Sequence, residues 1–251
     1  MGLPSEHGGW GLTLEPVVLG LLVTASWSGL ALGAAALVAF VARTPLKVVL
    51  VDRWRHRSLP RTRVALRLAA GELVALVVLV GLAARSARGP FWVPLLMALP
   101  LIGVELWFDM RSRSRRLVPE LAGSVGIGAV AAAIVVAGGG GATMAAAVWL
   151  VVGARAVASV PFVRYQLARG HQRPARRWGQ DLAQLAAVGL VVGGRLVGWL
   201  PWAAAGAIVA LAVTQVVLAR LRPPRAVIVG MQQLAFGLAV VLTAGFALAS
   251  A

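Results

Sequence analysis

Nine apolar segments, a scarcity of charge and a regular alternation of basic loops predict an all-α, polytopic membrane bundle. They place the N-terminus in the cytoplasm and the C-terminus outside. Of the 251 residues, 60% are hydrophobic and only 13% are charged. A soluble domain is usually about 45–50% apolar and about 25% charged. So few polar groups could not cover a water-facing surface, and lipid is the solvent that suits this composition. The whole chain, 1–251, reads as a single integral-membrane domain.

The apolar runs cover roughly 11–27, 29–42, 65–84, 91–108, 119–138, 143–163, 181–200, 202–219 and 226–249. Most reach the ~20 residues that a helix needs to cross the hydrocarbon core. They are continuously apolar and do not alternate, which argues against membrane strands. The second run is short and joins the first through Ser28, so the two are either separate spans or one broken segment. The stretch 43–64 reads as the longest loop. Within it, Pro45 to Arg57 has the composition of an amphipathic helix resting on anionic lipid.

The basic residues orient these runs. Arg43, Lys47, Arg53, Arg55, Arg57, Arg61, Arg63 and Arg67 lie between the second and third. Arg111, Arg113, Arg115 and Arg116 separate the fourth from the fifth, and Arg164, Arg169, Arg173, Arg176 and Arg177 the sixth from the seventh. Arg220, Arg222 and Arg225 precede the ninth. Thus 20 of the 24 basic residues fall in alternate loops, as the positive-inside rule requires of nine spans with the N-terminus inside. Trp27, Trp92, Trp199 and Trp202 then mark the outer interface.

Several function classes are excluded. A net charge of +16 would suit nucleic acid, but here it is divided among short loops instead of being gathered on one soluble element. With no cysteine there is neither a disulfide nor a thiolate site. None of His7, His56 and His171 lies in an apolar run, so neither an intramembrane haem nor a zinc site is expected. The first run has no basic lead-in or cleavage-type motif and reads as a retained helix. Arginine outnumbers lysine 23 to 1, a usage associated with GC-rich bacterial genomes, and the expected location is the bacterial plasma membrane.

The carboxylates are Glu6, Glu15, Asp52, Glu72, Glu105, Asp109, Glu120 and Asp181, all placed toward the cytoplasmic ends of the predicted spans. That one-sidedness suggests a polar vestibule open to the cytoplasm. Glu105 and Asp109 share a helix face at i and i+4, and Glu120 opens the next run. Either the three gather around Mg²⁺, or Glu105 and Asp109 pair with Arg111, Arg113 or Arg155 while Glu120 sits at a helix N-terminus, where negative charge is favoured. Glu15, Glu72 and Arg155 interrupt apolar runs, where ionisable groups are costly and commonly functional. Glu6 and His7 lie in Pro4-Ser5-Glu6-His7-Gly8-Gly9-Trp10, either an interfacial lead-in or a proton- or metal-handling segment. The candidate polar cluster is therefore Glu6, His7, Glu15, Arg43, Asp52, Glu72, Glu105, Asp109, Arg155 and Arg164. Gln232, Gln233 and Gly237 give the last run a polar stripe suited to helix packing.

The opening Ser-Glu-His-Gly-Gly-Trp-Gly, with Glu15-Pro16 and Gly20, resembles the YwiC-like membrane protein family. Arg43 with Pro45, the Arg111–Arg116 cluster, Phe162-Val163-Arg164 and Pro224-Arg225 with Gly230 fit the same layout. The resemblance implies a bacterial multi-spanning protein with no assigned activity. For some members gene neighbourhood suggests an association with nitrate respiration. The nine spans are also similar in architecture to UbiA-type intramembrane prenyltransferases, which bind a prenyl diphosphate through Mg²⁺ at Asp-rich motifs. Here Asp52-Arg53-Trp54-Arg55-His56-Arg57 offers a single Asp, and 162–181 holds no spaced Asp pair.

Three readings of function follow. One is a UbiA-like bundle that binds a prenyl or other anionic lipid at a cytoplasm-facing cavity, with Mg²⁺ only if the ligand is a diphosphate. Another is a non-enzymatic partner or assembly factor of a respiratory membrane complex. The third is a small-solute transporter. The expected contacts are the bilayer, anionic lipid at the basic loops and a possible protein partner, with no nucleic acid.

Overall fold

The computed structural model describes residues 7–56, 59–111 and 116–251, with side chains from Trp10 onward. Among these residues the chain forms nine helices and no strand. They are α1 (His7–Val23), α2 (Trp27–Trp54), α3 (Pro60–Ser86), α4 (Trp92–Met110), α5 (Leu117–Ala137), α6 (Ala142–Gly170), α7 (Arg177–Leu196), α8 (Trp202–Leu218) and α9 (Ala226–Ala249). Six are long and apolar enough to span a bilayer, and two more, α8 and the described part of α1, are shorter and apolar. The chain is a polytopic helical membrane bundle.

Its helices alternate in direction. At one end Ser28 Oγ donates to Ala137 O at 3.1 Å, and Arg88 N donates to the same carbonyl at 2.8 Å. These bonds gather the α1–α2, α3–α4 and α5–α6 connections. At the other end Arg61 meets Asp52, Arg43 meets Asp109, and Arg169 Nη1 donates to Ala219 O at 2.8 Å. That end carries the arginine-rich connections and faces the cytoplasm by the positive-inside rule. Trp27, Trp92, Trp199 and Trp202 are exposed at the opposite end. A second girdle, Trp54, Trp107 and Trp178, is exposed at the basic end.

The core sits around α5 and α6, the two most enclosed of the spanning helices. Small residues explain this. Ala131, Ala132 and Ala133 of α5 are fully buried, and a Cβ on Gly20 of α1 would lie 2.9 Å from Ile134 Cβ. Backbones can therefore approach closely, which is how helices associate in lipid. Helices α7, α8 and α9 pack with α6 into one cluster, built on Val148, Val151, Val191, Ile208 and Val241. Helices α2 and α4 join α5 on the other side, and α1 is wedged between α5 and α9. Helix α3 lies outermost, packed on α2 and only lightly on α5.

One open alternative is decided here and one expectation changes. Helices α1 and α2 are separate: Ser26 has extended backbone, and its Oγ accepts from Gly29 N at 3.0 Å, capping α2. The stretch 43–64 is not a long loop with a surface helix. Helix α2 runs 28 residues through Pro45 to Trp54, about 42 Å, and α3 begins at Pro60. Proline removes one backbone bond, yet the last turns stay attached to the bundle because Arg43, Lys47 and Asp52 are tied to neighbouring helices.

Candidate functional site

Two buried charges meet in mid-bundle, Glu15 on α1 and Arg155 on α6. Each is under 5% exposed, and both lie near the middle of their helices. Arg155 Nε lies 2.6 Å from Glu15 Oε2, and Nη2 donates to Oε1 at 2.8 Å. Only the Nη2–Oε1 contact has hydrogen-bond geometry; Nε and Oε2 lie close as opposite charges but are not hydrogen-bonded to each other. Nη2 also donates to the backbone carbonyl of Gln233 on α9 at 3.0 Å. Four residues after Gln233 stands Gly237, and a Cβ there would fall on Glu15 Oε1. Gly237 thus opens the slot that holds the ion pair, a more specific role than the packing stripe expected from sequence.

Below the pair, toward the basic end, a row of buried amides continues. Ser159 and Gln166 follow Arg155 along α6, Gln180 and Gln184 lie one turn apart on α7, and Gln215 and Gln233 come from α8 and α9. Gln215 Nε2 donates to Ser159 Oγ at 3.1 Å and lies 3.4 Å from Gln233 Oε1. Gln184 Nε2 donates to Gln215 Oε1 at 3.1 Å and to Ala158 O at 2.8 Å. Gln166 Nε2 donates to Leu218 O at 3.1 Å. Several buried atoms in this row have no hydrogen-bond partner: Gln166 Oε1, both amide atoms of Gln180, Gln184 Oε1 and Gln233 Nε2. Unpaired buried polar atoms are costly, and such a row suits water or a polar solute. On the other side of the pair the same helices present Val148, Val151, Val191, Ile208, Val241 and Leu248, an apolar seal.

Of the sequence candidates, only Glu15 and Arg155 meet in this site. Helix α6 runs on to Gly170, past the end of the predicted run at 163, which sets Arg155 further from the basic end. Glu105 and Asp109 were expected to join Glu120 around a metal or to pair with Arg111, Arg113 or Arg155. Instead Arg43 Nη2 bridges Glu105 at 2.7 Å and Asp109 at 3.1 Å, and Lys47 Nζ holds the other Asp109 oxygen at 3.1 Å. Helix α2 reaches far enough to supply both cations, which fixes that outcome. Glu120 turns to Arg164 at 2.8 Å. Asp52 closes the α2–α3 turn, accepting from Arg61 at 3.1 Å and from Thr62 Oγ1 at 2.6 Å. Glu6 and the side chain of His7 lie outside the described residues, as does Arg113.

Sequence reasoning missed Ser159, Gln166, Gln180, Gln184 and Gln215. The available signal was an amide inside an otherwise apolar run, repeated at helical spacing at Gln180 and Gln184.

Glu72 stands apart. It lies in the seam that α3 presents to α2, formed by Thr62, Ala65, Ala69, Glu72, Leu76, Val80 and Ala83 at spacings of three and four. Its Oε2 is enclosed and has no hydrogen-bond partner. Glu72→Leu is therefore expected to raise Tm in detergent by about 2–4 °C, the equivalent of relieving about 1 kcal/mol in a chain of this size. A fall of that size would show that the carboxyl group is bonded in the folded protein.

Residues 3–135 match the YwiC-like protein family. The chain belongs to the YwiC-like family. The matched stretch runs from before α1 into the last turn of α5, so it includes Glu15 but not Arg155 or the amides of α6 to α9. No curated protein and no solved structure matches the chain.

Proposed function

We propose that this YwiC-like chain is a transport protein of the bacterial plasma membrane. In this reading the Glu15–Arg155 pair is the switch point of a path opening toward the cytoplasm. The observation that carries the reading is the buried ion pair at the head of a row of amides with unpaired atoms. Ionisable groups at such depth generally mark ion or substrate pathways. The solute class follows from charge. Arg155 is released when Glu15 takes a proton, and an anion can then take the place of the carboxylate on the guanidinium. The core stays neutral in both states, which keeps an uncompensated charge out of the membrane centre. The expected cargo is a small anion moving with a proton.

The test uses proteoliposomes with an imposed pH gradient and a panel of small inorganic and organic anions. Uptake of at least one anion is expected to follow the gradient. It should fall at least tenfold in Glu15→Gln and in Arg155→Lys, both of which are close in size to the native residue. No gradient-driven uptake of any anion, or uptake unchanged in both variants, would overturn the reading.

A second reading, a partner subunit of a membrane complex, rests on α3. This helix exposes Val64, Leu68, Leu73, Val74, Val77 and Val78 beyond its seam with α2. Purification in mild detergent should then recover a stoichiometric partner that is lost on replacing these side chains. The prenyl-diphosphate reading draws less support, since Arg or Lys engages these carboxylates at three separate places: Asp52, Glu105 with Asp109, and Glu120.

A further inference from the structure

At the basic end, the last turns of α2 and α4 carry Trp54 and Trp107, which meet edge to face with ring centroids 6.4 Å apart. The guanidinium of Arg111 lies 3.9 Å from the Trp107 ring centroid and 6.0 Å from that of Trp54. Both indoles are about half exposed, at the depth where tryptophan meets lipid headgroups. Trp54, Arg55, Met110 and Arg111 line a cleft of about 360 Å³. Among the described residues no carboxylate pairs with Arg111; the nearest in sequence, Asp109, is held by Arg43 and Lys47.

We propose that this cleft binds the phosphate group of an anionic phospholipid in the inner leaflet, with Arg111 as its principal ligand. Contact with the Trp107 ring holds the guanidinium in place, and its planar set of N–H donors matches two phosphate oxygens. A single guanidinium fork matches the two non-bridging oxygens of a phosphodiester, a monoanion, and falls short of what a dianion would need.

The site is separate from the Glu15–Arg155 path, and its test is independent of transport. Purified full-length protein is titrated with dioctanoyl phosphatidylglycerol, with the phosphatidylcholine analogue and with inorganic phosphate, and bound molecules are counted by native mass spectrometry. One phosphatidylglycerol is expected to bind about tenfold more tightly than phosphatidylcholine. Arg111→Ala should erase that preference, Arg111→Lys should keep part of it, and Trp107→Ala should weaken it severalfold. Arg220→Ala is the control, because that guanidinium turns back onto Val216 O of its own helix. Inorganic phosphate bound as well as the lipid, with the same Arg111 dependence, would support the phosphate site and assign it to a soluble ligand. Equal losses in Arg111→Ala and Arg220→Ala, or none in either, would overturn the proposal by showing attraction spread over the whole basic face. Each variant is first checked for an unchanged monodisperse elution profile.

Discussion

Glu15→Ala and Arg155→Ala are each expected to destabilise the bundle by about 3–5 kcal/mol, since each strands the opposite charge in a dry core. The double replacement Glu15→Leu with Arg155→Met should cost much less than the sum of the two single losses. It removes both charges and fills their volume with apolar atoms, and such exchanges are often neutral. Part of the cost persists, because Arg155 also donates to Gln233 O and that bond is lost with it. The measurement is a double-mutant cycle with Glu15→Leu and Arg155→Met made singly and together, read by reversible unfolding in mixed micelles. A coupling of about 2 kcal/mol or more is expected between contacting charges. A coupling near zero would mean that the two groups are solvated independently, and the ion pair would then have no energetic consequence. The same variants separate structure from transport. A double variant that folds well and moves no anion would show that the pair is kept for function.

The architecture was largely legible because two independent patterns agreed. Apolar runs gave the number of helices, and the arginines assigned their connections to one end. Helix ends were less legible. Arg43, Lys47 and Asp52 look like loop residues, because charge in a short window speaks for water. Their partners, Asp109 on α4 and Arg61 and Thr62 on α3, lie in other segments, and local composition does not register such pairings. The same cause hid the length of α6, whose last turns carry Arg164 and Arg169, bound to Glu120 and to the Ala219 carbonyl.

The site was legible in part. Glu15 and Arg155 stood out because charge in an apolar run has few explanations. Which carboxylate Arg155 would meet depended on α1 packing beside α6, a matter of three dimensions. The amides escaped notice for a physical reason. A glutamine adds no charge, so neither the alternation of arginines nor the count of carboxylates responds to it. Its burial matters as much, since Gln215 is fully enclosed and bonds across to α6 and α7. The expectation of one shared acidic vestibule failed because the basic residues are numerous enough to engage the carboxylates locally. Among the described residues Glu72 is the exception, its Oε2 enclosed in the seam with α2 without a hydrogen-bond partner.

Gly237→Ala is expected to be nearly as damaging as the loss of Arg155, although it adds a single methyl group. The new Cβ would fall on Glu15 Oε1, and would lie 2.5 Å from its carboxyl carbon and 2.7 Å from Arg155 Nη2. Neither group can retreat easily, because each is held by the other and Arg155 also by the Gln233 carbonyl. Either α9 moves away from α1 or the ion pair opens. The expected loss is about 3 kcal/mol, the lower end of the cost of breaking a buried pair. Gly230→Ala on the same helix is the control, with open space around its position, and should be neutral or gain about 0.5–1 kcal/mol from helix propensity. Background dependence makes the test specific. In the Glu15→Ala, Arg155→Ala background the slot is empty, and the added methyl should cost little. A Gly237→Ala penalty that stays the same in both backgrounds would show that the glycine serves helix packing alone, and that the ion pair does not depend on the space it leaves.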